Sequence, residues 1–235
     1  MLDRIVLFPY YWTLRLRNSY YRNRGQKSEV PTICIGNITV GGTGKTPHTE
    51  MILDILQQSD EWGGRNIAVL SRGYKRKSKG FQMVGYNGPA SEYGDEPLQI
   101  KRKFPAVSVA VDRNRVEGCD LLVHPEKVQS GKYKDKVHFP DFPAADIIVL
   151  DDAFQYRKLR PDVNIVLVDY SRPIDEDQLL PLGNLRDLRE RISEADIVIV
   201  SKCPRDMDPE EKKSWADRLG VAEEKMFFTY IKYSD

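Results

Sequence analysis

The chain has 235 residues and a formal net charge of +1 at pH 7, because 36 lysine and arginine residues balance 35 aspartate and glutamate residues. This length is sufficient for one α/β domain with a substantial core, or for one domain and a fragment of a second. The near-zero net charge gives no global field that would attract nucleic acid. Cys34, Cys119 and Cys203 are far apart and form no C-x-x-C pair. Their spacing argues against a disulfide framework or a zinc site and favours a reducing compartment, with each cysteine a small buried hydrophobic residue.

Residues 1–24 combine aliphatic and aromatic side chains with five arginines and a single aspartate. The apolar stretch is shorter than the roughly 20 residues of a membrane span, and Pro9 interrupts it. No small-residue cleavage site follows, so a secretory signal is not indicated. Two interpretations stay open: the segment lies in the interface of an anionic membrane, or it forms a helix packed on the domain's own core. The arginines and aromatic residues favour the membrane.

The pattern of residues 31–57 predicts a short apolar strand, a glycine-rich turn and a helix that begins at Thr46. Such a turn binds phosphate oxygens with its backbone N–H groups, its lysine reaches the β- and γ-phosphates, and the next hydroxyl ligates Mg²⁺. The strict pattern has a glycine where Thr39 stands, and the alternative is a glycine-rich connection without a ligand. The flanking strand and helix favour the phosphate loop. Its predicted nucleotide-binding residues are Gly41, Gly42, Thr43, Gly44, Lys45 and Thr46.

An apolar run at residues 66–71 predicts a buried parallel strand, and a basic loop at residues 72–80 follows it. Ligands of α/β proteins bind at the carboxyl ends of parallel strands, which makes this loop a candidate for receiving an anionic substrate. The alternative is a solvated charged surface. Further along, residues 94–97 begin a helical pattern that runs to Lys103, with Asp95 as its predicted N-cap.

A second chemical signal is the run IIVLDD, in which four branched apolar residues precede Asp151 and Asp152. A central strand that delivers carboxylates at its carboxyl end is where P-loop proteins hold Mg²⁺. Residues 201–204 have the sequence SKCP, at the place where GTP-binding proteins have N-K-x-D. Pro204 replaces the aspartate that recognises guanine, so we expect ATP rather than GTP.

The remaining patterns complete an alternation of strands and helices. Further buried strands are predicted at residues 106–111, 165–168 and 197–200, and residues 227–233 resemble one more strand. One helical pattern leads towards Leu122. A second begins after Asp208, its predicted N-cap, and ends at Gly220. The alternation predicts an α/β fold with a doubly wound, mostly parallel sheet of the P-loop NTPase type. We divide the chain into a membrane-associating segment, residues 1–29, and a nucleotide-binding domain, residues 30–235.

Several stretches, in family order, resemble the tetraacyldisaccharide 4′-kinases of lipid A biosynthesis. They are VPTICIGNITVGGTGKTP, SRGYKRKSKG, GDEP, VDRNRVEG, LDDAFQYRKLRPDVNIVLVDYSRP, LLPLGNLRDLRE and IVIVSKCP. They cover most of residues 30–204, and the arginine-rich start resembles the membrane-facing segment of the family. The resemblance implies transfer of the γ-phosphoryl group of ATP, with Mg²⁺, to the 4′-hydroxyl of a tetraacylated glucosamine disaccharide 1-phosphate. It places this reaction at the cytoplasmic face of the inner membrane of Gram-negative bacteria.

The resemblance also implies roles for individual residues. Asp95 matches the proposed catalytic carboxylate of the family, and the adjacent Glu96 would support it. Lys45 is expected to neutralise charge on the transferred phosphoryl group. Asp151 and Asp152 match paired aspartates that the family assigns to Mg²⁺.

The acceptor implied by the resemblance is an anionic lipid, which sets further expectations. The 1-phosphate of this acceptor is negatively charged, so cationic side chains are expected close to the site. Separately, the hydroxyl of Thr46 is expected to be a further Mg²⁺ ligand. The candidate cations are Arg72, Lys75 and Arg113. The expected partners are the lipid A precursor and an anionic membrane surface, and the sequence indicates neither nucleic acid nor an obligate protein partner.

The chain departs from the family pattern at several positions. Ala153 and Tyr156 replace a glycine and a histidine, and Leu188 replaces a proline, whereas Arg186 is retained. Family members usually extend further at the C-terminus, and we expect this chain to lack their aspartate–histidine motif. Two alternatives to the kinase stay open: a P-loop regulatory or metallochaperone-type NTPase, and a nucleotide-binding remnant without kinase activity. A metallochaperone would need clusters of cysteine and histidine, which this sequence does not show.

Overall fold

The computed structural model describes residues 2–22, 24–133 and 136–232, with side chains from Leu7 onward. The chain divides into two compact units. The first unit contains residues 1–24, 35–45 and 163–235, and the second contains residues 25–34 and 46–162.

The helices and strands alternate along most of the chain. In chain order they are α1 (Leu2–Tyr21), β1 (Thr32–Asn37), α2 (Lys45–Gln58), β2 (Ile67–Ser71), β3 (Gln82–Met83), α3 (Ala90–Tyr93), α4 (Asp95–Lys103), β4 (Ser108–Val111), α5 (Arg115–Val123), β5 (Ile147–Asp151), β6 (Val163–Asp169), β7 (Ile197–Ser201), α6 (Pro209–Leu219) and β8 (Met226–Phe228). Short 3₁₀ helices cover Pro125–Lys127, Gly131–Tyr133, Arg189–Glu194 and Glu223–Lys225.

The strands form one sheet in the order β3-β4-β2-β5-β1-β6-β7-β8. Strand β2 pairs in parallel with β4 and β5, and β7 pairs in parallel with β6 and β8. Strand β3 pairs antiparallel with β4. Every residue of β2 and β5 is buried, as expected for parallel strands that are covered on both faces. The predicted α/β fold with a mostly parallel sheet is confirmed.

The ends of two helices test the predicted caps. The side chain of Asp208 accepts a hydrogen bond from the backbone N–H of Glu211, and Gly220 has a left-handed backbone with φ of 62°, so the caps predicted for α6 are confirmed. The prediction of Asp95 as an N-cap is wrong. The N-cap of α4 is Gly94, whose φ of 95° suits glycine and few other residues, and Asp95 is the first helical residue.

Strand β8 is shorter than the sequence predicts. The apolar pattern extends over residues 227–233, but the strand covers only Met226–Phe228. Its partner β7 ends at Ser201, and Phe228 already pairs with Val200, so the ladder has little strand left to continue on. The predicted end of the strand, Tyr233, lies outside the described residues.

Helix α1 has one packed face and one exposed apolar face. On the packed face, Leu14 is buried and the hydroxyl of Tyr10 donates a 3.2 Å hydrogen bond to the carbonyl oxygen of Arg186. On the other face, large apolar side chains recur every four residues. They are Phe8, Trp12, Leu16 and Tyr20, between 44% and 66% exposed. Among the described residues, no helix is both long and apolar enough to cross a membrane.

Candidate active site

The loop between β1 and α2 contains two glycines with a positive φ, which a tight glycine-rich turn uses. Gly41 and Gly44 have φ angles of 101° and 83°, in the left-handed region where a side chain would be strained. Thr43 is buried, and its hydroxyl accepts a 2.8 Å hydrogen bond from Nδ2 of Asn37. Helix α2 begins at Lys45, one residue earlier than predicted, so that Lys45 and Thr46 form its half-buried first turn. The predicted strand, glycine-rich loop and helix are confirmed.

The first half of this loop is fixed by residues 184–186 of the first unit. The N–H of Val40 donates to the carbonyl oxygen of Asn184, and the N–H of Arg186 donates to that of Ile38, both at 2.8 Å. The guanidinium of Arg186 also bonds the backbone and side-chain oxygens of Asn37. Arg186, which the sequence retains from the family motif, therefore holds the strand end from which the loop departs.

The second half of the loop is fixed by the carboxyl ends of β6 and β7. The hydroxyl of Ser201 donates to the carbonyl oxygen of Thr43 at 2.9 Å, and Nζ of Lys202 donates to that of Gly42 at 2.6 Å. Nζ of Lys202 is also 2.6 Å from Oδ2 of Asp169, which is 2% exposed. Burial alone would raise the pKa of Asp169, but hydrogen bonds from Lys202, Ser171 and Arg172 outweigh it and lower that pKa to about 2.

Sequence reasoning missed Asp169 and Arg172 and considered Lys202 only for base specificity. A signal was present, because Asp169 follows a buried apolar run just as Asp151 does. Polar residues at the carboxyl ends of parallel strands are candidates for a binding site, and this applies to Asp169 as well as to Asp151. Comparison of residues 201–204 with N-K-x-D concerns the base-recognising position 204, so it gives no indication of the role of Lys202.

The carboxylates at the end of β5 suit a hard cation. Asp151 is buried, and its Oδ2 accepts a 3.0 Å hydrogen bond from the hydroxyl of Ser71 at the end of β2. Asp152 is half-buried and has a left-handed backbone, with φ of 47°. Nη2 of the buried Arg115 donates to the carbonyl oxygen of Asp151 at 3.3 Å. Two carboxylates and the hydroxyl of Thr46 are the oxygen ligands that Mg²⁺ prefers, so the donor set fits the predicted ion.

Two of the predicted substrate cations lie at the carboxyl edge of the second unit's parallel strands. Strands β2 and β4 end in register, at Ser71 and Val111, and Arg72 and Arg113 follow these ends closely. Both arginines are exposed. Because β5 pairs with β2 in parallel, Asp151 ends at the same edge. The structure therefore places Arg72 and Arg113 at the same edge of the second unit as the end of β5, where Asp151 and Asp152 lie.

The basic loop also lies against the start of α4, where the predicted catalytic carboxylate is found. A Cβ built on Gly94 would lie 3.2 Å from the carbonyl oxygen of Tyr74, and the N–H of Lys77 donates to the carbonyl oxygen of Ser91 at 2.7 Å. Asp95 and Glu96 are both exposed in the first turn of the helix. Asp95 and Glu96 therefore directly follow Gly94, the residue that lies close to the backbone of the basic loop.

Not every cation of the basic loop is available to a ligand. Arg76 is buried, and its guanidinium bonds the hydroxyl of Ser78 and the carbonyl oxygen of Gly80, which fixes the loop's shape. Burial lowers the pKa of Arg76. Lys75, in contrast, is exposed, with φ of 60°, and its Nζ lies 5.3 Å from the ring centre of Tyr74. The predicted role in substrate binding therefore fits Lys75 better than Arg76.

A cavity of about 700 Å³ lies elsewhere in the second unit. Residues from the segment after α1, from α5 and from a 3₁₀ helix line it, including Gln26, Glu29, Asn114, Cys119 and Tyr133. None of the predicted site residues lines this cavity. The chemistry of the strand ends, and not the size of a cavity, identifies the candidate site.

A glycine-rich loop between a strand and a helix of a mostly parallel sheet, followed by Lys45 and Thr46 at the start of the helix, is typical of P-loop proteins. Within that class, residues 4–231 match the family model described as tetraacyldisaccharide-1-P 4′-kinase, LpxK. The chain belongs to this family. The predicted family resemblance is confirmed.

Individual relatives agree with the family match. The chain is 40% identical over 235 residues to the tetraacyldisaccharide 4′-kinase of Phocaeicola vulgatus, covering 97% of this chain and 59% of the relative. It is 37% identical over 237 residues to that of Bacteroides thetaiotaomicron, covering 97% and 57% of the two chains. This chain thus spans less than two thirds of the length of these curated relatives.

A solved structure matches over nearly the whole chain. It is the "apo" form of LpxK from Aquifex aeolicus in complex with ATP, with a TM-score of 0.66 and 27% sequence identity. The match covers 99% of this chain and 83% of that chain. The fold of the chain is therefore that of LpxK.

Proposed function

We propose that this chain carries the nucleotide- and acceptor-binding parts of an ATP-dependent kinase of lipid A biosynthesis. The reaction is transfer of the γ-phosphoryl group of ATP to the 4′-hydroxyl of a tetraacylated glucosamine disaccharide 1-phosphate. The observation that carries the proposal is a phosphate loop with left-handed Gly41 and Gly44 in a chain that matches the kinase family over residues 4–231.

The phosphate loop and the first turn of α2 would bind the triphosphate. Backbone N–H groups of residues 41–46 and the positive end of the helix favour anions, and Lys45 adds a full charge at the β- and γ-phosphates. Thr46, Asp151 and Asp152 would hold Mg²⁺, which supplies positive charge to the phosphate oxygens. The relative from Aquifex aeolicus was solved with ATP, which supports this choice of nucleotide.

The acceptor hydroxyl must lose its proton as it attacks the γ-phosphorus in line with the departing ADP oxygen. Asp95 is proposed to accept that proton, so that the P–O bond to ADP breaks as the new P–O bond forms. Glu96 supports this carboxylate. The exposed cations Arg72, Lys75 and Arg113 are proposed to bind the 1-phosphate of the acceptor.

The dependence of ATP turnover on the acceptor tests this proposal. We expect ADP release to be slow with Mg-ATP alone and to rise by orders of magnitude when the tetraacylated disaccharide 1-phosphate is added in detergent micelles. A matched acceptor that lacks the 4′-hydroxyl should give no rise. Turnover that is rapid and indifferent to the acceptor would instead identify a regulatory NTPase and overturn the kinase.

Helix α1 is proposed to bring the enzyme to its lipid substrate at the cytoplasmic face of the bacterial inner membrane. Its exposed face carries Phe8, Trp12 and Leu16, and the guanidinium of the exposed Arg15 lies about 6 Å from the ring centre of Trp12. Apolar side chains beside arginines suit the interface of an anionic membrane. Packing of the opposite face on the chain's own core leaves this face free to do so.

Replacing Phe8 and Leu16 together with serine is expected to weaken binding to vesicles of phosphatidylethanolamine and phosphatidylglycerol. Each apolar side chain that leaves the interface should cost on the order of 1–2 kcal/mol, so partitioning should fall by at least about tenfold. Vesicle co-sedimentation measures the effect. The matched control is Ile55→Ser, which removes an exposed apolar side chain from α2 and should change nothing. Equal loss in both variants, or in neither, would contradict a membrane role for α1.

A further inference from the structure

The cluster formed by Asp169, Arg172 and Lys202 has more positive than negative charge. Oδ2 of Asp169 lies 3.1 Å from Nη2 of Arg172 and 2.6 Å from Nζ of Lys202, so one carboxylate faces two cations. Asp169 stays ionised at neutral pH, because these partners lower its pKa to about 2. The cluster therefore holds a net charge of about +1 next to the loop that binds phosphate.

The guanidinium of Arg172 lies directly on the first glycine of the loop. A Cβ built on Gly41 would be 3.0 Å from Nη1 of Arg172 and 3.4 Å from Nη2. The bond to Asp169 uses Nη2, while Nη1 is the closer group to the glycine. The side chain of Arg172 is 41% exposed, so its charge is accessible to a ligand seated on the loop. Glycine at position 41 thus allows a cation to approach the backbone closely.

Lys202 acts on the next peptide of the same loop. Its backbone is left-handed, with φ of 61°, directly after β7 ends. Nζ of Lys202 donates a 2.6 Å hydrogen bond to the carbonyl oxygen of Gly42. Because the peptide group is planar, fixing this carbonyl oxygen also fixes the orientation of the Gly42–Thr43 peptide. Asp169 in turn fixes Nζ.

We propose that Arg172 is a second phosphate-binding cation of the nucleotide site, besides Lys45, and that Asp169 and Lys202 are positioning residues that hold it and the loop. This inference rests on the proposed nucleotide site. Arg172 suits the role because a guanidinium can bond a carboxylate and a phosphate at the same time through different N–H groups. The polyphosphate end of ATP is the ligand, and the adenosine part takes no part in the contact.

Binding of ATP, ADP, AMP and adenosine, measured by calorimetry with Mg²⁺, tests the inference. Arg172→Ala is expected to weaken ATP binding by about tenfold or more, which is typical for a lost charged hydrogen bond. The loss should shrink from ATP to ADP to AMP and vanish for adenosine, and Arg172→Lys should restore part of the affinity. A residue that only holds the loop would weaken ATP and ADP binding by the same factor, so a loss that decreases from ATP to ADP identifies a direct contact with the phosphates.

Lys202→Asn tests the positioning residue, because asparagine tolerates the left-handed backbone at this position. It should weaken ATP and ADP binding by a similar factor and leave adenosine unaffected. The matched control Lys212→Ala removes an exposed charge from α6 in the same unit and should bind like the wild type. Thermal unfolding of each variant shows that the fold is intact, and Arg172→Lys replaces Arg172→Ala if the alanine variant does not fold.

The outcomes separate this inference from the proposed function. If the wild type binds ATP and Arg172→Ala binds it equally well, the inference is overturned and the nucleotide site stands. The inference is also overturned if Arg172→Ala weakens the binding of AMP as much as that of ATP. If Arg172→Ala does not fold, the same criterion applies to Arg172→Lys. If the wild type binds no ATP, both are overturned.

Discussion

Replacing Lys45 with alanine is expected to weaken Mg-ATP binding by about ten- to a hundredfold and to reduce phosphoryl transfer to background. The reason is the loss of charged hydrogen bonds to the β- and γ-phosphates, each worth roughly 1.5–3 kcal/mol. Lys45 lies in the half-buried first turn of α2, where the helix end already favours anions. Calorimetry measures the affinity, and acceptor-dependent ADP release measures the rate.

The matched control for Lys45→Ala is Lys213→Ala, which removes an exposed lysine from α6. Its ATP affinity and its transfer rate should equal those of the wild type. Wild-type affinity in Lys45→Ala, with an intact fold, would show that residues 41–46 do not form the nucleotide site. The strand, the loop and the helix would then be structural features only.

Replacing Asp95 with asparagine should separate binding from chemistry. Asparagine keeps the size of the side chain but cannot accept the hydroxyl proton, so we expect the transfer rate to fall by about 10²- to 10⁴-fold. ATP affinity should be unchanged, because the expected phosphate ligands are on the loop and α2. Asp95 is exposed in the first turn of α4, so the substitution should leave the fold intact. Rapid-quench measurement of the transfer step checks the rate.

The neighbouring Glu96→Gln variant is the control for Asp95→Asn, since both carboxylates are exposed in the same helical turn. As a supporting residue, Glu96 should affect the rate much less. Equal losses in both variants would assign the effect to the local charge of the helix start. An unchanged rate in Asp95→Asn would remove Asp95 from the mechanism altogether.

Much of the fold could be predicted because its elements have strong local signals. Strands β2 and β5 are continuous apolar runs, buried throughout, and such runs are typical of central parallel strands. Asp208 begins α6 and Gly220 ends it, and both act through local backbone interactions that the sequence alone indicates. The phosphate loop is predictable for the same reason, because its glycines, lysine and threonine act through local backbone geometry.

The elements that sequence reasoning missed depend on partners distant in the chain. Strand β3 has only two residues, too few for periodicity, and exists because Gln82 and Met83 pair with β4. The N-cap of α4 is one residue before the residue that the sequence predicts, because glycine and aspartate are both acceptable at an N-cap. In the structure the N-cap is Gly94, whose φ of 95° is one that glycine adopts without strain. The cluster around Asp169 was missed because it forms only when β6, β7 and the loop come together.

The most direct test of the account is transfer of a radiolabelled γ-phosphoryl group from ATP to the tetraacylated disaccharide 1-phosphate, using this 235-residue chain in detergent micelles. The account predicts a labelled lipid that carries its new phosphate at the 4′ position, formed only with Mg²⁺ and lost in Lys45→Ala. A preparation that binds Mg-ATP but labels no lipid, or labels it at another hydroxyl, would contradict the account.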